Sequence, residues 1–308
     1  LGQTDTTILA DKDTLKQIFT ADFAKKNVYE ITSDDIQKYL NDLAEDKSNS
    51  IIKKRFCMLR MFFKYFASTR HIFNEMDVTC MPKSKIKRDY VYLGYEKLAY
   101  TDEEIRRLYD YCKKPFDKTR IGKPDCGTVY GRFLLVMLYE YLRFGEIAEL
   151  RCRDVDFKHN ILKIRRQFVS KTRAVRAPKY NSMRDVPIAQ EVRAFLVDAC
   201  TGKEPDDLVF QTGELNKNRN YIPSAPDGHI REHVVLLTLH RIEDHLGLAR
   251  HTLHDLRHDG ISYYVRKGVP CVDISRFAGH KDVAFTMQRY FRMTEQISES
   301  TMRLIVGD

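Results

Sequence analysis

The feature that most constrains the fold is the helical spacing of apolar residues over the first 80 positions. Apolar residues recur every three or four positions from Asp11 to Phe23, from Ile36 to Leu43 and from Ser48 to Ser68, as on one face of an α-helix. The second stretch follows Thr32-Ser33-Asp34-Asp35, which is typical of a helix start. The sequence therefore predicts a helical N-terminal domain over residues 1–80.

Positive charge is concentrated in two stretches of the chain. The 308 residues have a net charge of +9, which favours a polyanionic partner. Lys47 to Asn74 contains seven Lys or Arg, Phe157 to Arg184 contains nine, and neither stretch contains an acid. We interpret both as surfaces that contact phosphates; a merely solvated charged face is the alternative. The candidate DNA-binding residues are Lys53, Lys54, Arg55, Arg60, Lys64, Lys83, Lys85, Lys87, Arg88, Arg165, Arg166, Lys171, Arg173 and Arg176.

A basic linker over residues 81–97 is predicted to separate two domains, because Pro82 ends regular structure and polar residues follow it. Thr101 and Glu104 have the spacing of a capping box, so a helix opens the second domain, residues 98–294. Residues 295–308 form a weakly amphipathic tail.

The second domain is predicted to contain helices and one small sheet. Val155 to Arg166 and Ala174 to Pro187 alternate as short strands do, whereas Gln211 to Gly228 is polar and predicts a loop. Helices are expected over Ile230–Leu246, His254–Lys267, Cys271–Ala278 and Val283–Phe291. The expected fold class is mostly α with a small antiparallel β-sheet in the C-terminal domain.

The seven cysteines are odd in number and include no C-x-x-C pair, which indicates a reduced intracellular protein without a disulfide framework. No apolar run approaches the ~18 residues needed to cross a membrane, and no signal peptide is visible. We expect a cytoplasmic protein bound to DNA, as in a bacterial nucleoid. The chain begins at Leu1 without a Met, so a preceding domain could be missing.

The segment from His254 to His258, H-D-L-R-H, allows two kinds of site. His254 and Arg257 are three apart on a predicted helix, so both could bind one phosphate. His254 and His258 are four apart and could bind zinc, with Asp255 in the place of the Glu of H-E-x-x-H. The segment alone does not decide between phosphate and metal.

Further residues match the requirements of phosphodiester cleavage. Cations must face the non-bridging oxygens, a nucleophile must attack, and the leaving oxygen must receive a proton. Arg143 interrupts the end of an apolar helix, Lys179 lies in a basic segment, His280 follows a glycine and Tyr290 lies on a predicted helix. Each has a structural alternative, since such an Arg often caps carbonyls and such a Tyr often lies in a core.

Taken in order, these residues resemble the tyrosine recombinase family, which includes phage integrases. The matching motifs are L-R-x-x-E at Leu142–Glu146, a Lys before Arg and Val-Pro at Lys179–Ile188, H-D-L-R-H at His254–His258, Gly-His at Gly279–His280 and the nucleophile at Tyr290. The spacing from His280 to Tyr290 is similar to that in integrases of conjugative elements. Two positions depart from the pattern, because Glu140-Tyr141 replaces Thr-Gly and Ala278 replaces Leu.

The resemblance implies a core-binding domain and a catalytic domain that clamp DNA, and a site-specific recombinase that integrates or excises a mobile element. Tyr290 would attack the scissile phosphate and form a 3′-phosphotyrosyl bond. Arg143 and Arg257 would bind the non-bridging oxygens, Lys179 would protonate the leaving 5′-oxygen, and His254 and His280 would assist. Glu146 and His258 would support the arginines.

The resemblance also implies partners. The family works on double-stranded DNA as a homo-tetramer on two sites that exchanges C-terminal tails, here residues 295–308, and an accessory DNA-bending or excision factor is a further expected partner. No cofactor and no metal are expected.

The sequence leaves several alternatives open. Lys171 competes with Lys179 for the lysine role, but lacks the following Arg and Val-Pro. A type IB topoisomerase would use related chemistry, a zinc hydrolase would use His254 and His258, and a non-catalytic DNA-binding protein would have lost the activity.

Overall fold

The computed structural model describes residues 5–70, 72–85, 99–113, 129–211, 213–215, 221–223 and 227–279. The chain divides into two compact units, residues 1–93 and 94–308. The predicted helix at 283–291 and the tail at 295–308 lie outside the described residues. The linker bounds, 81 and 97, stay a prediction.

The first unit is helical, with α1 over Asp5–Ile18, α2 over Ser33–Asp46 and α3 over Asn49–Arg70. Helix α2 begins with a capping box: the Thr32 hydroxyl accepts from the Asp35 amide, and the Asp35 carboxylate accepts from the Thr32 amide. The apolar faces of the three helices meet in one core that includes Ile18, Ile36, Leu40, Ile52, Leu59 and Phe63.

The beginning of the predicted linker is held against this first unit. The Lys85 amide donates to the Ala44 carbonyl at 2.7 Å, and the Ser84 amide donates to the Asn49 side chain at 2.8 Å. Residues up to 85 therefore have defined backbone partners at the turn between α2 and α3.

The second unit is mostly helical. Its helices are α4 over Asp102–Cys112, α5 over Val129–Tyr139, α6 over Phe144–Ala148, α7 over Gln190–Cys200, α8 over Glu232–Leu246, α9 over Leu253–Arg266 and α10 over Cys271–Ala278. The predicted capping box is present, because the Thr101 hydroxyl accepts from the Glu104 amide and the Glu104 carboxylate accepts from the Thr101 amide. No helix in the described part of the chain combines the length and apolarity needed to cross a bilayer.

Within the described residues, the strands of the second unit form three small antiparallel sheets. Strands β1 (Val155–Asp156), β2 (Ile161–Ile164) and β5 (Arg184–Pro187) pair in the order β1-β2-β5. Strands β3 (Gln167–Val169) and β4 (Ala174–Arg176) form a hairpin within the β2–β5 connection. The prediction of mostly α structure with a small antiparallel sheet is confirmed.

A third strand pair corrects the prediction of a loop over residues 211–228. Strand β6 (Gly213–Leu215) pairs with β7 (Tyr221–Pro223) in an antiparallel hairpin. Three-residue strands that alternate poorly and lie among Gly, Pro and Asn give almost no periodic pattern, so composition indicated a loop.

Helix α5 lies at the centre of the second unit and sets the position of α9. All residues from Phe133 to Tyr139 are buried, as expected for a helix that is apolar all round. At Gly260 of α9, a Cβ atom would lie 1.9 Å from the Leu138 carbonyl oxygen. The two backbones therefore touch at this glycine, and a larger residue would force α9 away from the chain that leads to Arg143.

Candidate active site

The candidate site begins where α5 ends and the short helix α6 starts. Glu146, in the first turn of α6, accepts from the Arg143 amide at 3.0 Å and from the Arg143 guanidinium at 2.9 Å. The L-R-x-x-E spacing therefore places the carboxylate where it both satisfies an amide at the helix start and binds the arginine.

Glu146 is the centre of an arginine cluster. Its carboxylate is buried and receives two hydrogen bonds from Arg184, at 3.0 and 2.8 Å. The Arg257 guanidinium lies 4.0 Å away. Three guanidinium groups, from the residue before α6, from β5 and from α9, thus surround one carboxylate. Arg184 was not predicted as a site residue, because only the β2–β5 pairing brings it here from 38 positions away.

The cluster keeps the Glu146 carboxylate charged. Burial by itself raises the pKa of Glu146, but the hydrogen bond from Arg184 and the charges of Arg184, Arg143 and Arg257 outweigh it and lower the pKa to about 2. One negative charge among three positive ones leaves an excess of positive charge. Arg143 retains about a fifth of its side-chain exposure, so the excess can attract an anion from solvent.

The same arginines contact the C-terminal end of α10. Arg143 donates to the Gly279 carbonyl at 3.0 Å, and Arg257 donates to the Ala278 carbonyl at 2.7 Å. Arg257 is buried, with 1% of its surface exposed. Residues near 143, 257 and 279 are thereby brought together, as the motif order predicts for one site.

The start of α9 assigns a structural role to Asp255. The Asp255 carboxylate accepts from the Thr252 amide at 2.9 Å, and the Thr252 hydroxyl accepts from the Asp255 amide at 3.2 Å. This capping box makes Asp255 part of the helix start. It also orients α9 so that His254 is exposed while Arg257 points into the protein.

His254 and His258 contact each other directly. Their Nε2 atoms lie 3.0 Å apart, with the rings at 81° to one another. One ring nitrogen must donate and the other accept, so the two rings share a proton between them. Within the described residues, no group of three His, Cys, Asp or Glu is arranged to hold a metal ion.

The two candidate lysines occupy different places. Lys171, in the turn between β3 and β4, lines an open groove of about 770 Å³ together with His254, Arg231 and His233. Lys179 is exposed in a 3₁₀ turn before β5, next to Tyr180 at a φ of 59°. The structure therefore brings Lys171, and not Lys179, into the groove that His254 lines.

The predicted DNA-binding residues of α3 divide into an exposed stripe and one buried arginine. The exposed stripe consists of Lys53, Lys54, Arg60 and Lys64. Arg55 is buried and donates to Gln17 at 2.6 Å and to Tyr39 at 3.0 Å. The prediction that Arg55 belongs to the solvent-facing basic surface is wrong, because its position on the helix faces α1 and α2.

The other predicted DNA-binding residues differ in their partners. Lys83 is exposed, and Lys85 is exposed and pairs with Glu45. In the second unit, arginines of the acid-free stretch pair with acids outside it: Arg165 with Asp185, Arg166 with Asp154 and Arg173 with Asp227. Arg176 lies on β4. Lys87, Arg88, His280 and Tyr290 lie outside the described residues.

The comparisons with known proteins agree with the motifs. Residues 99–296 match the model of the phage integrase family. A XerC-like tyrosine recombinase of Caldanaerobacter subterraneus is 24% identical over 281 residues, which cover 84% of this chain and 67% of the relative.

Solved structures share the fold. The Tn1549 transposon integrase in complex with circular intermediate DNA has a TM-score of 0.68 at 14% identity, covering 94% of this chain and 90% of the integrase. A lambda integrase tetramer bound to a Holliday junction has a TM-score of 0.63 at 16% identity, covering 94% and 72%. Because the family model spans more than half of the chain, and the fold and motif order agree with it, the chain belongs to the phage integrase family of tyrosine recombinases.

Proposed function

We propose that this chain is a site-specific DNA recombinase that breaks and rejoins strands through a covalent 3′-phosphotyrosyl intermediate. The observation that carries the proposal is the cluster of Arg143, Arg184 and Arg257 around one buried carboxylate, Glu146. Its positive excess suits a scissile phosphate, whose negative charge grows toward the transition state.

Arg143 and Arg257 are proposed to bind the non-bridging oxygens. A guanidinium presents two parallel donors that match two oxygens of a phosphate. Glu146 and the carbonyls at the end of α10 already hold these two side chains. Arginines held before the substrate arrives need little reorganisation during the reaction.

Tyr290 is proposed as the nucleophile. Its phenolic oxygen would lose its proton and bond to phosphorus, while the bond from phosphorus to the 5′-oxygen breaks and that oxygen takes up a proton. An unperturbed tyrosine has a pKa of about 10, so nearby positive charge would favour the phenolate. The covalent link keeps the bond energy, so a 5′-hydroxyl can reverse the step. His254 and His280 would assist in proton transfer and phosphate binding.

The proton donor to the leaving 5′-oxygen is proposed to be a lysine, and two candidates remain. Sequence register favours Lys179, but Lys171 lines the same groove as His254. Lys171→Ala and Lys179→Ala should be compared on ordinary DNA and on DNA with a bridging 5′-sulfur, because a thiolate leaves without a proton. The donor is the lysine whose loss slows ordinary cleavage but not cleavage of the sulfur substrate.

His258 is proposed to support His254 in addition to Arg257. The 3.0 Å contact between the two Nε2 atoms would hold the orientation of the His254 ring. A histidine that donates through one nitrogen must present the other as an acceptor when neutral. The hydrogen bond with His258 would therefore determine the tautomer of His254.

The assembly is proposed from the relatives. The lambda integrase neighbour is a tetramer on a Holliday junction, and the Tn1549 neighbour binds transposon circular intermediate DNA. We infer that this chain also forms a tetramer on two DNA sites, with both units clamped on DNA, an exchanged tail at residues 295–308 and an accessory DNA-bending or excision factor. Light scattering of the protein with one and with two DNA sites measures the stoichiometry, and a monomer on both would overturn this part.

The experiment that tests the proposal uses a nicked suicide substrate that carries the recombination site. We expect a protein–DNA adduct that survives denaturant, forms in the presence of a chelator and is absent in Tyr290→Phe. Cleavage that a chelator abolishes would instead support a zinc hydrolase. Relaxation of supercoils without recombinant products would support a type IB topoisomerase, and DNA binding without any adduct would support a non-catalytic protein.

A further inference from the structure

The C-terminal end of α10 is bound by three arginines, one for each of its final carbonyl groups. The pairs of donor and acceptor are Arg184 with Phe277, Arg257 with Ala278, and Arg143 with Gly279. The last carbonyls of a helix lack partners within the helix and carry partial negative charge. Three cations at this end therefore satisfy acceptors that would otherwise need water or a cap.

Arg184 differs from the other two arginines because each of its three guanidinium nitrogens donates to a protein group. Its Nε donates to the Phe277 carbonyl, Nη1 donates to Glu146 and to the Ser182 carbonyl, and Nη2 donates to Glu146. Its side chain is only 6% exposed. Arg184 is thus committed to holding Glu146 and α10 together rather than to binding a ligand.

Gly279 packs directly on Arg184. A Cβ atom at this position would lie 3.0 Å from both Cζ and Nη1 of Arg184. Gly279 also has a φ of 65°, in the left-handed region that glycine adopts without strain. The absence of a side chain at Gly279 therefore allows the end of α10 to pack against the Arg184 guanidinium.

We infer that Arg184 is a positioning residue for strand cleavage: it ties the end of α10 to Glu146 and so sets the point from which the chain continues to His280. The inference rests on the proposed function, because it concerns the same site. Glu146 accepts hydrogen bonds from Arg184 through both carboxylate oxygens and from the Arg143 guanidinium through Oε1. Loss of Arg184 would therefore shift both the phosphate-binding arginine and the helix end.

The test compares Arg184→Lys with Arg151→Lys. A lysine keeps the charge, but its single nitrogen cannot bind both Glu146 oxygens and the Phe277 carbonyl together. Arg151 is a matched control, because it also binds a buried glutamate, Glu149. We expect Arg184→Lys to slow single-turnover adduct formation by about 10- to 100-fold, as misplacement of reacting groups does. Affinity for uncleaved DNA should change less than twofold, and Arg151→Lys should cleave at the wild-type rate.

A second variant perturbs the contact between Arg184 and Gly279 by changing the glycine. Gly279→Ala retains both the Arg184 and the Glu146 side chains but adds a methyl group against the guanidinium. We therefore expect the same loss of cleavage rate with retained DNA affinity. This variant keeps the inference testable if Arg184→Lys does not fold. Hydrogen exchange over Cys271–Gly279 should become faster in both variants, while α8 stays protected.

The outcomes separate the inference from the proposed function. If the rate and the DNA affinity of Arg184→Lys fall in parallel, or Arg151→Lys loses as much, Arg184 is merely structural and the inference is overturned. If both variants cleave as wild type does, it is also overturned. If the wild-type protein forms no adduct, the proposed function fails, and exchange over α10 still reports whether Arg184 holds the helix end.

Discussion

Substitution of Glu146 by Gln is the perturbation that reports most directly on the arginine cluster. Gln keeps the shape of the side chain but removes the negative charge that the three guanidinium groups surround. Arg184 donates to this carboxylate at 2.8 and 3.0 Å and Arg143 at 2.9 Å. Three buried or half-buried cations would then face an amide whose NH₂ group is a further donor.

The size of the effect follows from the pKa of Glu146. The cluster lowers this pKa from 4.5 to about 2, and each pKa unit corresponds to about 1.4 kcal/mol, so the charged form gains about 3 kcal/mol. Breaking a buried ion pair by removing one partner costs about 3–5 kcal/mol, which agrees. For a domain of this size, a loss of about 3 kcal/mol lowers Tm by about 6–12 °C.

The dependence on pH gives a stricter test. A folded-state pKa below the unfolded value gives stability that is complete above pH 4.5 and is lost as pH falls toward 2. Glu146→Gln cannot titrate, so its deficit relative to wild type should shrink by about 2 kcal/mol between pH 7 and pH 3. Urea unfolding followed by circular dichroism at several pH values measures this difference.

Glu103→Gln is the matched control. Glu103 also pairs with an arginine three residues away, but both side chains are largely exposed, so Tm should not change measurably. If Glu146→Gln unfolds at the wild-type temperature at pH 7, or if its deficit is the same at pH 3, then Glu146 does not hold the cluster through its charge and the reasoning is refuted.

Three further predictions concern other parts of the molecule. Burial raises the pKa of Glu140 to about 8; a hydrogen bond from the Ala189 amide lowers it, and the charge of Glu191 raises it further. Wild-type stability should therefore fall as pH rises from 4.5 to 8, and Glu140→Gln should be up to about 3 kcal/mol more stable than wild type at pH 7. A variant that is less stable than wild type at pH 8 would contradict this. His258→Phe should slow cleavage about tenfold, whereas His258→Gln should retain most of the activity. In a His254→Ala background, His258→Phe should not lower the cleavage rate further, and an equal loss in both backgrounds would indicate a purely structural role. Replacing Lys53, Arg60 and Lys64 by Gln should reduce the slope of log affinity for DNA against log salt concentration by as much as about 3. The control Lys25→Gln, at another exposed lysine, should leave the slope unchanged. An unaltered slope in the triple variant would show that the stripe does not contact phosphates.

Local motifs were predictable from the sequence because short-range hydrogen bonds create them. The capping boxes at Thr32 and Thr101 need only residues three apart, and the structure contains both. The L-R-x-x-E spacing has the same origin, because Glu146 closes on the Arg143 amide in one turn. Apolar periodicity likewise predicted α2 and α3, but the stretch predicted as helical from Asp11 to Phe23 only partly overlaps α1, which spans Asp5–Ile18.

Long-range pairing explains what the sequence did not show. Arg184 reaches Glu146 only because β5 pairs with β2 in a register that sets Arg184 opposite Ile164, and no local pattern reports that register. Arg55 looked like a member of a basic face, but its side chain lies between α1 and α2 and binds two polar partners there. Charge alone does not show which side of a helix meets another helix.

Tyr141 shows how a departure from the family pattern can be accommodated. The family usually has Thr-Gly where this chain has Glu140-Tyr141, and Tyr141 adopts a φ of 37°, a region that favours glycine. Its buried ring packs with Ile261, Val265 and Ile274. A positive φ at a residue other than glycine costs about 1–3 kcal/mol, and burial of the ring in this cluster acts against that cost.

In the proposed reaction, Tyr290 becomes covalently linked to a 3′-phosphate of DNA. The most direct measurement is mass spectrometry of the peptide that remains attached after a suicide substrate has been cleaved and both components have been digested. We expect a nucleotide adduct on the peptide that contains Tyr290, a free 5′-hydroxyl on the released strand, and no adduct in Tyr290→Phe. An adduct on another residue, or cleavage that leaves a 5′-phosphate, would contradict it.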